Sequence, residues 1–348
     1  MLRTATCGAS GYVSVHGCVL CVRAVVVELS PGVLLVVVSR ASGNGVVTRR
    51  CGCYYRAHTC APPSWVRQDT VGEAVRSTAK VTDAPNGAAV SPRAHTALER
   101  LGIASSPELR ALLPRLIVTV AAWKGGVGKT EIAKELAYLL DGVLVDLDWD
   151  EGGATRNWGY RHEARTTAPL LDALDSGRVP RPLSGGGVRA DLIPSHPDFA
   201  INQPAADRMA TTLEHWSQAL GRPLVIDTHP GGVPSTMGAV GAAHVVVVPV
   251  NLETRALRAT EGMAQELQGG FPLLFVLNRV EAAPESELKQ LEKLSEMFDI
   301  PVGPVVSSHA FLKRRKLTMA VCAPGRSGEI PARAAEFVGE MHDVAKRV

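Results

Sequence analysis

The residues with the plainest chemistry are Lys124-Gly125-Gly126-Val127-Gly128-Lys129-Thr130. Glycines at this spacing let backbone N–H groups close around phosphate oxygens with no Cβ in the way. Lys129 supplies a point charge for the outer phosphates of a nucleotide, and the Thr130 hydroxyl is the expected magnesium ligand. Gly125, Gly126, Val127, Gly128, Lys129 and Thr130 are therefore the candidate nucleotide-binding residues. Trp123 stands where the usual pattern begins with glycine, and a second lysine, Lys124, follows it.

Holding a nucleotide is not hydrolysing it; magnesium and an attacking water also need acceptors. Two acidic clusters close apolar runs: Val145-Asp146-Leu147-Asp148-Trp149-Asp150 and Val225-Ile226-Asp227-Thr228. Asp227 is expected on the magnesium side. Asp146 and Asp148 share one face of an extended chain, so one can order the metal region while the other orients water. Asp150 reads more simply as a turn-capping acid.

Such groups need a sheet to bring them together. Apolar runs suited to strands occupy Leu116–Ala121, Val143–Asp146, Ala190–Ile193, Leu224–Ile226, His244–Val250 and Leu273–Leu277. Helical stretches lie between them near 131–140, 204–219, 254–268 and 285–297. Near-continuous apolar strands imply burial on both faces, and strand–helix alternation implies a parallel sheet with right-handed crossovers. The expected fold is α/β, a mostly parallel sheet flanked by helices over 115–348. The phosphate loop sits at the carboxyl end of the first strand, where such sheets bind ligands.

Residues 1–114 read differently. Up to Arg115 there are 13 Lys+Arg against 6 Asp+Glu, and the remainder is net acidic; the whole chain is +3. That net charge is too small to imply a polyanionic partner by itself. Residues 40–115 are weakly periodic and rich in Ala, Arg, Ser, Pro, Thr and Gly, apart from a helix or two in 91–113. The segment is expected to be a poorly structured extension, or the product of a misassigned start codon. A hairpin of Ala24–Leu29 and Val33–Val38 fits Ser30-Pro31-Gly32. Six of the seven cysteines fall in the first sixty residues, but only Cys18-x-x-Cys21 has half of a zinc spacing.

Taken in order, these pieces resemble the deviant Walker A ATPases of the ParA/MinD group, nearest the ParA-type partition ATPases. The similarity rests on residues 124–130, Asp146-Leu147-Asp148, Gly152-Gly153-Ala154-Thr155, Asp191-Leu192-Ile193-Pro194-Ser195, Val225 to Gly231, Val248-Pro249-Val250 and Leu277-Asn278-Arg279. It spans about 115–348. The resemblance implies a P-loop NTPase fold, ATP and Mg2+ as cofactors, and ATP hydrolysis that is weak and partner-stimulated. Lys124 is similar to the signature lysine that reaches a partner's phosphates in a homodimer formed on ATP binding. Lys129 and Thr130 would serve in cis, Asp148 would orient water, Asp227 would take the magnesium side, and Asn278 would read the adenine edge.

Three departures bear on turnover. Glu131 replaces the usual second threonine, the first switch reads Asp148-Trp149-Asp150-Glu151, and His229 replaces a proline of the second. The last helix, Ala332 to Val348, contains Glu336, Glu340 and Asp343 and lacks a broad apolar face, which argues against a membrane anchor. Lys313-Arg314-Arg315-Lys316 is the densest basic cluster and suits nonspecific DNA, with Arg333, Lys346 and Arg347 as extensions. The resemblance then implies plasmid or chromosome partition with a ParB-like centromere-binding protein, in the cytoplasm on the nucleoid. A slowly hydrolysing, ATP-gated positioning or regulatory module for a protein cargo is the alternative.

Overall fold

The computed structural model describes residues 92–348, apart from 151, 152, 269, 314–317 and 326, and the backbone of four strands between 9 and 56; side chains are described from His95 onward. The chain divides into two compact units, Met1–Gly87 and Ala88–Val348. In the first, β1 (Ala9–Val15), β2 (Cys18–Ser30), β3 (Val33–Ser42) and β4 (Gly45–Arg56) form an antiparallel sheet in that order. β2 and β3 pair as the expected hairpin, with Ser30 opposite Val33. The cysteine side chains of the first sixty residues lie outside the described ones.

The second unit opens with α1 (Pro92–Leu101) and α2 (Pro107–Leu112). Ser106 caps α2, its Oγ accepting the Leu109 N–H at 3.2 Å. Leu98, Leu101 and Leu113 are buried in the core, so the sequence boundary near 115 lies inside this unit. There follow β5 (Ile117–Val120), α3 (Lys129–Leu139), β6 (Val143–Asp146), α4 (Ala154–Trp158), α5 (Pro169–Ser176), β7 (Asp191–Ile193), α6 (Ala206–Leu220) and β8 (Leu224–Asp227). Next come α7 (Pro234–Ala242), β9 (Val245–Val250), α8 (Thr254–Leu267), β10 (Leu273–Val280), α9 (Glu285–Phe298), β11 (Val302–Ser307), α10 (Ala310–Lys313) and α11 (Ala335–Arg347).

Seven strands pair in the order β11-β10-β9-β5-β8-β6-β7, every neighbour parallel. Alternate residues of each strand feed opposite faces. Val118, Val120, Leu144, Val225 and Leu274 pack with Ile132, Leu136, Phe337 and Met341 of α3 and α11. Val143, Val145, Ile226, Val246, Val248 and Phe275 pack on the other side, toward α6, α8 and α9. Burial on both faces explains why these strands read as unbroken apolar runs. The sheet brings the ends of β5, β6 and β8 side by side, and all three carry candidate residues.

Sequence pattern misses β11 and α7. β11 is an edge strand with Gly303 and Pro304, and with Val302 and Val305 exposed; proline is tolerated where no neighbour needs its N–H. α7 contains two glycines yet is buried nearly all round, so its burial, not propensity, makes it helical. The expectation for the last helix also needs correcting. α11 does carry an apolar stripe, Phe337, Met341, Val344 and Ala345, but the stripe is buried in the core. No helix among the described residues is long and apolar enough to cross a membrane.

Candidate active site

The loop after β5 gets its shape from two glycines and from the end of β10. Gly126 and Gly128 have φ of +79° and +95°, a region that costs an L side chain energy. Gly128 is also closed in by a neighbour: a Cβ there would lie 2.1 Å from Asn278 Nδ2. Asn278 Nδ2 donates to the Val127 carbonyl at 2.7 Å, and the Arg279 guanidinium donates to the Gly126 carbonyl at 2.6 Å. These two bonds occupy the carbonyls of Val127 and Gly126, so an anion would meet the loop through its N–H groups. Asn278 is 5 % exposed and already used by the loop, a role nothing in its sequence context announced. Arg279 is a second loop clamp that sequence reasoning missed.

α3 starts at Lys129, so its N-terminal dipole points into the same space. Lys129 is buried, and desolvation lowers its pKa against the pull of Asp227, Asp148 and Asp150. Thr130 follows, partly buried. Glu131 turns away from the loop and pairs with Lys134 at 3.0 Å. Farther along α3, buried Glu135 accepts the N–H groups of Val321 and Cys322 at 2.7 and 2.9 Å.

Asp227 ends β8, opposite Asp146 at the end of β6. It is fully buried, and neither carboxylate oxygen has a hydrogen-bond partner. Burial raises its pKa to about 7, against Lys129 and the nearby Thr130 hydroxyl, which lies close without bonding geometry. An orphaned carboxyl beside a threonine hydroxyl and a phosphate loop is what a magnesium ion would satisfy. Thr130 and Asp227 therefore fit the ion expected from the sequence.

Asp146 is spoken for differently. Its Oδ1 accepts the Asp148 N–H at 3.0 Å and its Oδ2 the Thr155 N–H at 2.5 Å. It anchors the segment between them, and Ser195 N–H donates to Thr155 Oγ1 at 2.8 Å from the end of β7. Burial and the charge of Asp227 push the Asp146 pKa well up. Asp148 is 8 % exposed, with a pKa raised chiefly by burial and opposed by the Asp150 N–H, His229 and Lys129. Of the two acids on that face, Asp148 is the one left to meet a ligand.

His229, a departure in the second switch, and Asp150, read as a turn cap, both join the site. His229 stacks on Trp149 with ring centroids 3.9 Å apart and planes 7° from parallel. Its Nε2 lies 3.4 Å from Asp150 Oδ2, so Asp150 does more than cap a turn. Lys124 sits at the rim, half-exposed, its Nζ 2.9 Å from Glu253. Trp123 Nε1 donates to Glu266 at 2.7 Å, which fixes the start of the loop against α8. The basic cluster is remote from this chemistry in sequence. Lys313 is exposed and 3.5 Å from Glu281, while Arg314, Arg315 and Lys316 lie outside the described residues. Arg333, Lys346 and Arg347 are exposed.

No family model matches the chain. In sequence it is similar to the chromosome-partitioning ATPase Soj of Thermus thermophilus, 34% identical over 197 residues that make 55% of this chain and 72% of the relative. In structure it is similar to apo McdA of Cyanothece, with a TM-score of 0.52 and 17% identity over 67% of this chain and 98% of that one. A Cyanothece McdA variant in complex with ATP gives 0.53 at 17% identity, covering 67% and 96%. At those identities the structural likeness shows the fold.

Proposed function

The chain belongs to the ParA/MinD group of P-loop ATPases, and from that premise we propose that it is an ATP-switched dimer that holds DNA nonspecifically and partitions a plasmid or chromosome. The observation that carries the nucleotide half is the orphaned Asp227 carboxyl, facing Thr130 and Lys129 behind a loop clamped by Asn278 and Arg279. Lys129 and the loop N–H groups would hold the ATP phosphates, and Thr130 with Asp227 would hold Mg2+. The ion would neutralise charge on the phosphates. Asp148 would orient the attacking water and take up its proton, a role that its raised pKa favours.

Lys124 supports the dimer half. Among the described residues it is held by a largely exposed pair with Glu253, and such pairs are worth about 0–1 kcal/mol. A phosphate offered by a second copy would compete easily for this ammonium. The DNA half rests on the cluster at 313–316 and on exposed Arg333, Lys346 and Arg347. A ParB-like centromere-binding protein would stimulate hydrolysis and release, in the cytoplasm on the nucleoid. No membrane contact is part of the proposal, since the apolar stripe of α11 is already used in the core.

The test is DNA binding by fluorescence anisotropy with and without ATP and Mg2+, at several salt concentrations. Binding should need ATP, weaken steeply with salt, and be lost in both Lys129→Ala and Lys124→Ala. DNA retained without nucleotide would sink the switch. ATP-driven dimers with no DNA affinity would favour the protein-cargo reading instead.

A further inference from the structure

The two departures from the family pattern that face each other, Asp150 and His229, belong to one arrangement. One donor atom from each of Asp148, Asp150 and His229 lies within 4.8 Å of the other two. A divalent ion with bonds of roughly 2.1–2.4 Å spans opposite ligands at about that distance. Asp148 Oδ1 is committed to the Asp150 N–H at 3.1 Å, which leaves its other oxygen for the cluster.

The histidine gives a separate pointer to a ligand. His229 Nδ1 lies 2.8 Å from the Pro230 carbonyl, an acceptor only, so Nδ1 carries the proton and donates. That bond sets the tautomer of the neutral ring and turns the Nε2 lone pair toward Asp150 Oδ2 at 3.4 Å. In the neutral ring that lone pair is open to a cation, which Asp150 would meet from the other side; in the protonated ring the same contact is an ion pair. An imidazole that donates its far N–H to a backbone carbonyl is the usual state of a metal-ligating histidine. Stacking on Trp149 fixes the ring plane further. Beside the cluster, Asp227 is fully buried with both oxygens unpartnered.

We propose that Asp148, Asp150 and His229 form a second divalent-cation site, distinct from the Thr130–Asp227 magnesium site, that takes a first-row ion such as Mn2+ or Zn2+. Two carboxylates and an imidazole suit that class better than the all-oxygen shell preferred by Mg2+. The ion ties the segment after β6 to the segment after β8. It also occupies Asp148, and so holds hydrolysis off until it leaves. This last consequence rests on the hydrolysis reading above; the site itself does not.

The experiment titrates the nucleotide-free full chain with Mn2+ and follows the free ion by electron paramagnetic resonance. Mn2+ avoids thiolates, which keeps the N-terminal cysteines from competing. Besides any ion held at Thr130–Asp227, wild type should bind an equivalent whose affinity falls at least about tenfold in His229→Gln and in Asp150→Asn. Thr130→Ala should keep it. Urea unfolding of each variant shows that the loss is not loss of fold. Equal binding by wild type and His229→Gln overturns the proposal, as does loss in Thr130→Ala with retention in the other two. In a second arm, micromolar Mn2+ added to excess Mg2+ and ATP should slow turnover of wild type more than of His229→Gln. A chain with the Mn2+ pattern but no ATP turnover would refute the hydrolysis reading and leave the site standing.

Discussion

Replacing Asp227 by asparagine should stabilise the nucleotide-free protein, by an amount that grows with pH. The carboxyl is fully buried without a hydrogen-bond partner, and its pKa rises from 3.8 to about 7. A group whose pKa is raised on folding contributes its full stability below the unfolded value and loses it as pH climbs through the folded value. The window here is about pH 4 to 7. Some three units at 1.36 kcal/mol each make the cost at pH 8 about 4 kcal/mol. By pH 5 only about 1.5–2 kcal/mol of that has been lost, so about 2–3 kcal/mol separates the two conditions. Asparagine carries no charge and escapes the loss. The Asp146 carboxyl is raised partly by Asp227, so some of the gain arrives through its release and the figure belongs to the pair.

The assay is urea unfolding at pH 5 and pH 8 at constant ionic strength, followed by tryptophan emission, which includes the fully buried Trp216. The advantage of Asp227→Asn should be larger at pH 8 by about 2–3 kcal/mol. ATP with Mg2+ should erase it by stabilising wild type and not the variant, since the ion supplies the missing partner. An advantage of equal size at both pH values would refute the account of a desolvated, unpartnered carboxyl.

Gly128→Ala should cost about 2–4 kcal/mol, from a φ of +95° and from displacing Asn278 off the Val127 carbonyl, and should abolish ATP binding measured by calorimetry. Glu135→Ala should lower stability by about 2–5 kcal/mol in thermal melts, because two buried N–H groups, Val321 and Cys322, lose their acceptor; Glu135→Gln keeps one acceptor and should cost less. Lys124→Ala should change stability by under about 1 kcal/mol while removing ATP-driven dimerisation in light scattering, since its cis partner Glu253 is exposed. Reversing 313–316 to glutamate should remove DNA binding and leave dimerisation intact; unchanged DNA affinity would take that patch out of the account.

The central strands were legible because a strand buried on both faces must be apolar throughout, as Val245 to Val250 is. β11 was not, because an edge strand packs on one side and can contain Gly303 and Pro304. The phosphate loop was legible because its chemistry is local: φ values and N–H groups within seven residues. Asp227 was legible as an acid after an apolar run. Its orphaned state was not, because that depends on what surrounds β8 rather than on neighbours in sequence. The clamps from Asn278 and Arg279 lie some 150 residues from the carbonyls they hold, and no spacing rule connects them.

The site's charge balance explains why these distant supports matter. Asp146 and Asp227 are fully buried on neighbouring strands, Asp148 lies close by, Lys129 is a buried cation facing them, and buried Lys134 also acts on Asp227. Without ligand, the acids are held with pKa values raised, that is, biased toward the protonated form. A magnesium ion would reverse the bias, ionise Asp227 and release its proton, so binding energy is coupled to pH through Asp227 and the acid paired with it. The phosphates must then approach Lys129 along a path that the loop N–H groups define. If Asn278 or Arg279 let the loop relax, the carbonyls of Val127 and Gly126 could turn inward and meet the same phosphates with negative dipoles. Arg279→Ala should therefore weaken ATP more than inorganic Mg2+, because the ligands proposed for the ion, Thr130 and Asp227, lie on α3 and β8 and do not depend on that clamp. Equal weakening of both would mean that β10 supports the metal side as well as the loop.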